Sequence, residues 1–298
     1  MLRPLAILAA TILPALAARA EPPPSQPREV YEIRREANSS SRTSGEMGGS
    51  GTTHDVDVLV ERVIAVRDDG VELEYDLPAD ATADDRASDW HFPVRVLRPP
   101  HGPLQLLNGP ELQARLETWL REAGIPREAC GHWIFTWNAF QIDCDPQSAI
   151  PAIEQFTLWP DELRDGASWQ QPGSRAPVAL REEGRASGHT AFVARMEVDP
   201  EAVRRDRVHT DIVVAEIMHR PLTPEAARQA HAAEQISGTI VTTFEIDAAR
   251  NLRRRTTVTE LEVRGGAEGS EHRTVTDTVE RRLTTLAPPN RAPAAGHR

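Results

Sequence analysis

The stretch ISGTIVTTFEID, residues 236–247, places apolar side chains at alternate positions, which is typical of a β-strand with one buried face. Two segments of similar character follow, LRRRTTVTELEV at 252–263 and TVTDTVERRL at 274–283. A turn at 247–251 and the Gly265-Gly266 loop separate the three segments. The sequence therefore predicts an antiparallel meander in the last third of the chain.

A second strand-rich region lies near the N-terminus. In VDVLVERVIAVR, residues 56–67, one parity carries Val56, Val58, Val60, Ile64 and Val66, so we expect that parity to face the core. The turn signal Asp68-Asp69-Gly70 follows, and residues 71–77 then alternate apolar with acidic side chains, which completes a hairpin. The polar, Ser/Gly-rich stretch 38–53 is expected to be a mobile hairpin tip.

The first twenty residues have the organisation of a secretory signal peptide. An apolar run at 5–17 follows Arg3, and Ala18-Arg19-Ala20 offers small residues for cleavage near Ala20. We therefore expect a periplasmic or secreted protein, with one α+β domain over 21–286 and a disordered Pro/Ala-rich tail at 287–298.

The middle of the chain, residues 90–170, is expected to be largely helical, and it holds all six tryptophans and both cysteines. A helix is predicted to begin at Gly109-Pro110-Glu111. In an exported protein, the pair Cys130 and Cys144 indicates a disulfide, which closes a loop of about 15 residues.

These regions together predict an α+β fold. Because isolated hairpins are marginal in water, the N- and C-terminal strands are expected to share one curved antiparallel sheet. The helices and the disulfide-stapled, Trp-rich segment would pack on one face of it. Two further helices are predicted from the N-cap, proline and acid signals at Asp199-Pro200-Glu201 and Thr223-Pro224-Glu225.

Composition excludes several classes of function. The chain has a formal net charge of −11, which argues against nucleic acid and anionic lipid surfaces as partners. All 34 basic residues are arginine, so Schiff-base and P-loop lysine chemistry is excluded. Beyond the N-terminal segment no apolar stretch approaches 20 residues, and we expect no stable membrane insertion.

The sequence offers no recognisable catalytic, metal or cofactor site. The patterns G-x-S-x-G and H-E-x-x-H are both absent. Two pairs with helical spacing, Glu216 with His219 and His231 with Glu234, place carboxylate and imidazole on one helix face. Without matching acids on companion helices, both pairs are expected to be surface contacts and not metal ligands.

The tryptophans are the candidate ligand-binding residues. Aromatic side chains line pockets for acyl chains and stack on sugars, but they also form ordinary core. The candidates for a ligand contact are Trp119, Trp133, Trp137 and Trp159.

Two resemblances follow from the strand sequences. GTIVTTFEID at 238–247, the threonine-rich strands that end VERRL at 279–283, and VERVIAVRD at 60–68 resemble uncharacterised exported proteobacterial proteins. More distantly, the order of elements is similar to periplasmic lipoprotein carriers, whose half-barrel sheet wraps helices around an apolar cavity. The first resemblance implies no activity, and the second implies only a fold.

The sequence favours a non-enzymatic periplasmic binding protein for a hydrophobic small molecule or a cell-envelope protein. Two alternatives stay open. A carboxylate-based hydrolase acting on envelope glycan would need two facing acids with separated pKa values. A structural or assembly factor would instead expose an apolar surface or an edge strand.

Overall fold

The computed structural model describes residues 29–44, 48–135, 139–158, 160, 162–184, 190–248, 251–266 and 269–286. Its strands are, in chain order, β1 (Glu29–Ser44), β2 (Ser50–Arg67), β3 (Gly70–Asp76), β4 (Val94–Arg98), β5 (Gln105–Leu106), β6 (Trp133–Phe135), β7 (Ala139–Gln141), β8 (Ser168–Trp169), β9 (Val178–Ala179), β10 (Arg181–Gly184), β11 (Thr190–Glu197), β12 (Gln235–Ile246), β13 (Leu252–Gly266) and β14 (Gly269–Leu286).

Three helices alternate with short strands between β3 and β8, and two more lie between β11 and β12. They are α1 (Ala83–Ser88), α2 (Gly109–Glu122), α3 (Ala149–Glu154), α4 (Pro200–Ile217) and α5 (Pro224–His231), with short 3₁₀ turns at Arg127–Ala129 and Pro146–Ser148. The predicted N-caps of the last two helices are confirmed. The side chain of Asp199 accepts a hydrogen bond from the Glu201 amide, and that of Thr223 accepts one from the Ala226 amide. No helix in the described ranges is long and apolar enough to cross a membrane.

Ten strands form one antiparallel sheet, in the order β10-β11-β12-β13-β14-β1-β2-β3-β4-β5. The first described strand lies between β14 and β2, so the two ends of the chain share the sheet as predicted. The prediction of a mobile tip over 38–53 is wrong for residues 38–44 and 50–53, which are strand. There β1 is paired along both edges, and the double ladder of backbone hydrogen bonds stabilises a polar strand that a lone hairpin would not.

The assignment of faces on β2 is also corrected. Leu59 and Val63 are buried, whereas Ile64 and Val66 are 43% and 48% exposed. The pairing of Val63 with Leu73 places Val63 on the covered face. The register of the β2–β3 pairing shifts immediately after it, between Val63 and Ala65. Because side chains alternate between faces, Val56, Val58, Val60, Ile64 and Val66 lie on the other side of the sheet.

The helices and the Trp-rich middle pack on one face of this curved sheet. Leu112, Leu116 and Leu120 on α2 are buried in the same core cluster as Leu73 and Phe244 from opposite halves of the sheet. The predicted fold class, an α+β fold on an open antiparallel sheet, is confirmed. The Cys130–Cys144 disulfide is also confirmed, with the two Cα atoms 5.6 Å apart.

Candidate functional site

The tryptophan candidates are spread over several elements. Trp119 lies on α2 and is partly buried against the core. Trp133 lies on β6, where its ring edge faces His209 at 6.0 Å between centroids and its backbone N–H donates to Glu216 Oε1 at 3.2 Å. Trp137 and Trp159 lie outside the described residues. A shared tryptophan site therefore stays a prediction.

The two carboxylate–imidazole pairs have different outcomes. Glu216 contacts His132, in the segment that precedes β6, with 2.9 Å between Glu216 Oε1 and His132 Nδ1. His231 and Glu234 do meet, but both are buried and do not form a surface contact. Over the described part of the chain, no group of three or more His, Cys, Asp or Glu residues is arranged to hold a metal ion.

The His231–Glu234 pair lines a cleft that is larger than the one between β2, α1 and α3, and we call it the larger cleft. This cleft has a volume of about 680 Å³ and lies between α4 and α5 on one side and β12, β13, β14 and β1 on the other. Its apolar lining comes from Val198, Val203, Ile240, Leu261 and Val275. Polar and charged side chains line the rest, so the cleft is amphipathic.

His231 is held between two carboxylates. Its Nδ1 lies 2.9 Å from Glu234 Oε1, and its Nε2 lies 2.9 Å from Asp211 Oδ2. A neutral imidazole has only one N–H donor, so both contacts are hydrogen bonds only when both ring nitrogens carry protons. His231 ends α5 and Asp211 lies on α4, and the ring therefore ties the two helices together.

Arg207 extends this network to the sheet. Its Nη1 lies 2.6 Å from Glu271 Oε2 on β14, and its Nε lies 3.2 Å from Glu234 Oε2. Arg273 Nη2 contacts the other oxygen of Glu271 at 2.6 Å. Burial acts to raise the pKa of Glu271, but hydrogen bonds and charge from Arg207 and Arg273 outweigh it and lower the pKa. Glu271 is therefore ionised at neutral pH.

Sequence reasoning identified His231 and Glu234 but missed their partners. Arg204, Arg207 and Asp211 follow one another at three- and four-residue spacing, which places them on one face of α4. Arg204 Nη2 donates to the Glu234 carbonyl oxygen at 2.8 Å, which holds the chain just before β12. That spacing was the available signal, although charged faces of helices are usually solvated.

His231 is not arranged as the general base of a nucleophilic site. A catalytic histidine needs one ring nitrogen free to accept a proton from a hydroxyl or thiol. In His231 both nitrogens face carboxylate oxygens. The cleft is suited to binding, because it places an apolar wall beside ionised and hydrogen-bonding groups.

A second cleft of about 580 Å³ lies between β2, α1 and α3. Leu59, Phe92 and Phe156 contribute apolar surface there, and the aspartates Asp57, Asp80, Asp85 and Asp89 line its polar part. Asp85 caps α1 there, where its carboxylate accepts hydrogen bonds from the backbone amide and the hydroxyl of Thr82.

No family model and no curated protein matches the chain. Among solved structures, a lipovitellin structure described by its lipid–protein interactions aligns with a TM-score of 0.38 and 11% identity. The alignment covers 88% of this chain and 26% of the lipovitellin chain, so this chain spans about a quarter of lipovitellin. A CurJ dehydratase aligns with a TM-score of 0.11 and 10% identity, over 85% of this chain and 76% of that one. Both scores are too low to assign a fold family or a ligand.

Proposed function

We propose that this chain is a non-enzymatic binding protein of the cell envelope, and that it holds a small amphiphile in the larger cleft. The observation that carries the proposal is the cleft itself. Its volume of about 680 Å³ falls in the range of small-molecule sites, which is roughly 300–1,000 Å³. Ile240 and Leu261 supply an apolar wall, and the Arg207 network supplies charge beside it.

Binding is favoured over hydrolysis by the state of Glu271, a carboxylate of the larger cleft. A glycan hydrolase needs one carboxyl group that holds a proton at working pH beside a second, ionised carboxylate. Glu271 has a lowered pKa and is paired with two guanidinium groups. Such a carboxylate is a structural anchor and not a proton donor.

The envelope location is supported by the signal-like residues 1–20 and by the Cys130–Cys144 disulfide. It is tested by expressing the full chain in a Gram-negative host and separating periplasm from cytoplasm. We expect a periplasmic protein whose N-terminal residue is Glu21. A cytoplasmic protein that retains Met1 would overturn the location.

Ligand binding is tested by native mass spectrometry of the purified protein before and after organic extraction. We expect an adduct of defined mass that extraction removes. Thr259→Trp, which fills the cleft, should abolish the adduct, whereas Thr256→Trp on the opposite face of β13 should retain it. An apo mass throughout would overturn the proposal and favour a structural or assembly role.

A further variant separates the two candidate positions for the ligand. Trp133 does not line the larger cleft, so Trp133→Leu should leave the adduct in place. Loss of the adduct in Trp133→Leu, with retention in Thr259→Trp, would move the site to the tryptophan segment. The cleft assignment would then be rejected.

A further inference from the structure

Carboxylates outnumber basic side chains in the lining of the larger cleft. One imidazole and two guanidinium groups, from His231, Arg207 and Arg273, lie among four carboxylates, from Asp206, Asp211, Glu234 and Glu271. This excess of negative groups gives the cleft a net negative charge, and a bound head group must be complementary to it.

Both guanidinium groups are already committed to carboxylates. Arg207 contacts Glu234 at 3.2 Å and Glu271 at 2.6 Å, and Arg273 contacts Glu271 at 2.6 Å. An anionic head group would have to compete with Glu271 for these two cations. It would also face the remaining carboxylates across the cleft, so anions are disfavoured.

The carboxylates, in contrast, have acceptor capacity to spare. Glu234 is 3% exposed, and its Oε2 receives no hydrogen bond from the described residues although Arg207 Nε lies 3.2 Å away. Asp211 uses Oδ2 to contact His231, which leaves Oδ1. Asp206 is exposed at the cleft and makes no ion pair with the described residues. An ammonium group brings three donors and a positive charge to such a set.

We propose that the larger cleft selects amphiphiles with a cationic, amine-type head group, the alkyl chain lying along Ile240, Leu261 and Val275. This inference rests on the proposed binding function and specifies the ligand class. Asp206 is the accessible contact for the ammonium, at the open side of the cleft.

The test is isothermal titration of the mature protein, in low salt at neutral pH, with three probes that share a twelve-carbon chain. The probes are dodecylammonium, laurate and neutral dodecyl maltoside, each kept below its micelle concentration. We expect dodecylammonium to bind at least tenfold more tightly than laurate. Asp206→Asn should weaken dodecylammonium about three- to tenfold and leave laurate binding equal or tighter.

The matched control is Asp80→Asn, at the second cleft. Each substitution removes one negative charge from a chain of net charge −11, so both change the long-range attraction for cations equally. We expect Asp80→Asn to bind dodecylammonium as the unaltered chain does. Equal weakening in the two variants would indicate nonspecific attraction and would overturn the inference.

The remaining outcomes separate this inference from the function on which it rests. If laurate binds as tightly as dodecylammonium, and Thr259→Trp abolishes both, the cleft binds amphiphiles and only the head-group selectivity is overturned. If none of the three probes binds, the proposed function itself fails.

Discussion

Glu61 on β2 and Arg281 on β14, which are 220 positions apart, form a buried ion pair. Glu61 Oε1 accepts hydrogen bonds from Arg281 Nε at 3.2 Å and from Nη2 at 2.5 Å, and the other carboxylate oxygen accepts one from the Tyr75 hydroxyl at 2.7 Å. Tyr31 on β1 lies between the two strands, with its ring centroid 3.2 Å from the guanidinium carbon. This cluster joins strands from the two ends of the chain.

Glu61→Gln should strongly destabilise the fold. The substitution keeps the shape of the side chain but leaves the guanidinium of Arg281, which is 13% exposed, without its counter-charge. Breaking a buried pair in this way costs about 3–5 kcal/mol in the free energy of unfolding. Urea unfolding monitored by circular dichroism at neutral pH measures the change.

The matched control is Glu225→Gln on α5, which removes an exposed ion pair with Arg228. Its unfolding midpoint should match that of the unaltered protein, because exposed pairs contribute little. If Glu61→Gln is no more destabilising than this control, the buried pair is not a determinant of the fold.

Acid should destabilise the protein, in part through Glu61. Burial acts to raise the pKa of Glu61, but Arg281, Arg98 and the hydrogen bond from Tyr75 outweigh it, so the folded-state pKa lies below the ordinary value of 4.5. A lowered folded-state pKa stabilises the fold above about pH 4.5, and that stabilisation is lost as pH falls through the folded-state pKa. The free energy of unfolding, measured from pH 7 to about pH 3, should decrease below pH 4.5.

Glu61→Gln should make this decrease shallower, because glutamine does not titrate. Part of the slope should persist, because the pKa of Glu271 is also lowered in the folded state. Identical slopes in the two proteins would show that Glu61 does not contribute to acid destabilisation.

The disulfide should contribute measurably to stability. It joins residues 14 apart in sequence, and closing a loop of this length stabilises a fold by about 3 kcal/mol in the chain-entropy model. The double variant Cys130→Ser, Cys144→Ser should lose that amount in urea unfolding. A reductant should destabilise the unaltered protein and have no effect on the variant. Equal stability of the unaltered protein and the variant without reductant would contradict the prediction.

Gly238→Ala should destabilise β12. A methyl group at this position would clash with the backbone carbonyl of Glu260 on the neighbouring strand and lie 3.0 Å from Val198 Cγ2. Overpacking of this kind costs about 1–3 kcal/mol, which thermal or urea unfolding resolves. Gly184→Ala on β10 is the control. It should slightly stabilise the fold, because nothing lies within 4 Å of its new methyl group. Equal effects would contradict the argument.

Local patterns predicted the elements well. The N-cap signals at Asp199 and Thr223 specified the starts of α4 and α5, since capping needs only neighbouring residues. The two-residue period predicted β2 but misplaced its buried face. Both parities of that strand carry apolar side chains, and the partner strand, through the pairing of Val63 with Leu73, decides which one is covered.

The candidate site was much less predictable. The three-residue spacing of His231 and Glu234 predicted that they meet. Their burial, however, depends on Arg207 from α4 and Glu271 from β14. Those residues meet because helices and strands distant in sequence pack on one sheet face. No local period encodes such a contact.

The amino-acid sequence by itself determined the starts of α2, α4 and α5, most of the strands near the two chain ends, the disulfide pair and the antiparallel sheet that those ends share. These depend on side-chain period, capping and chain closure, which act over a few residues or on the only available partner. Only the tertiary structure decided which face of β2 is buried, why residue 238 is glycine, and where the cleft and its charges lie. Burial and charge pairing depend on which surfaces pack together, and that is a property of the whole chain.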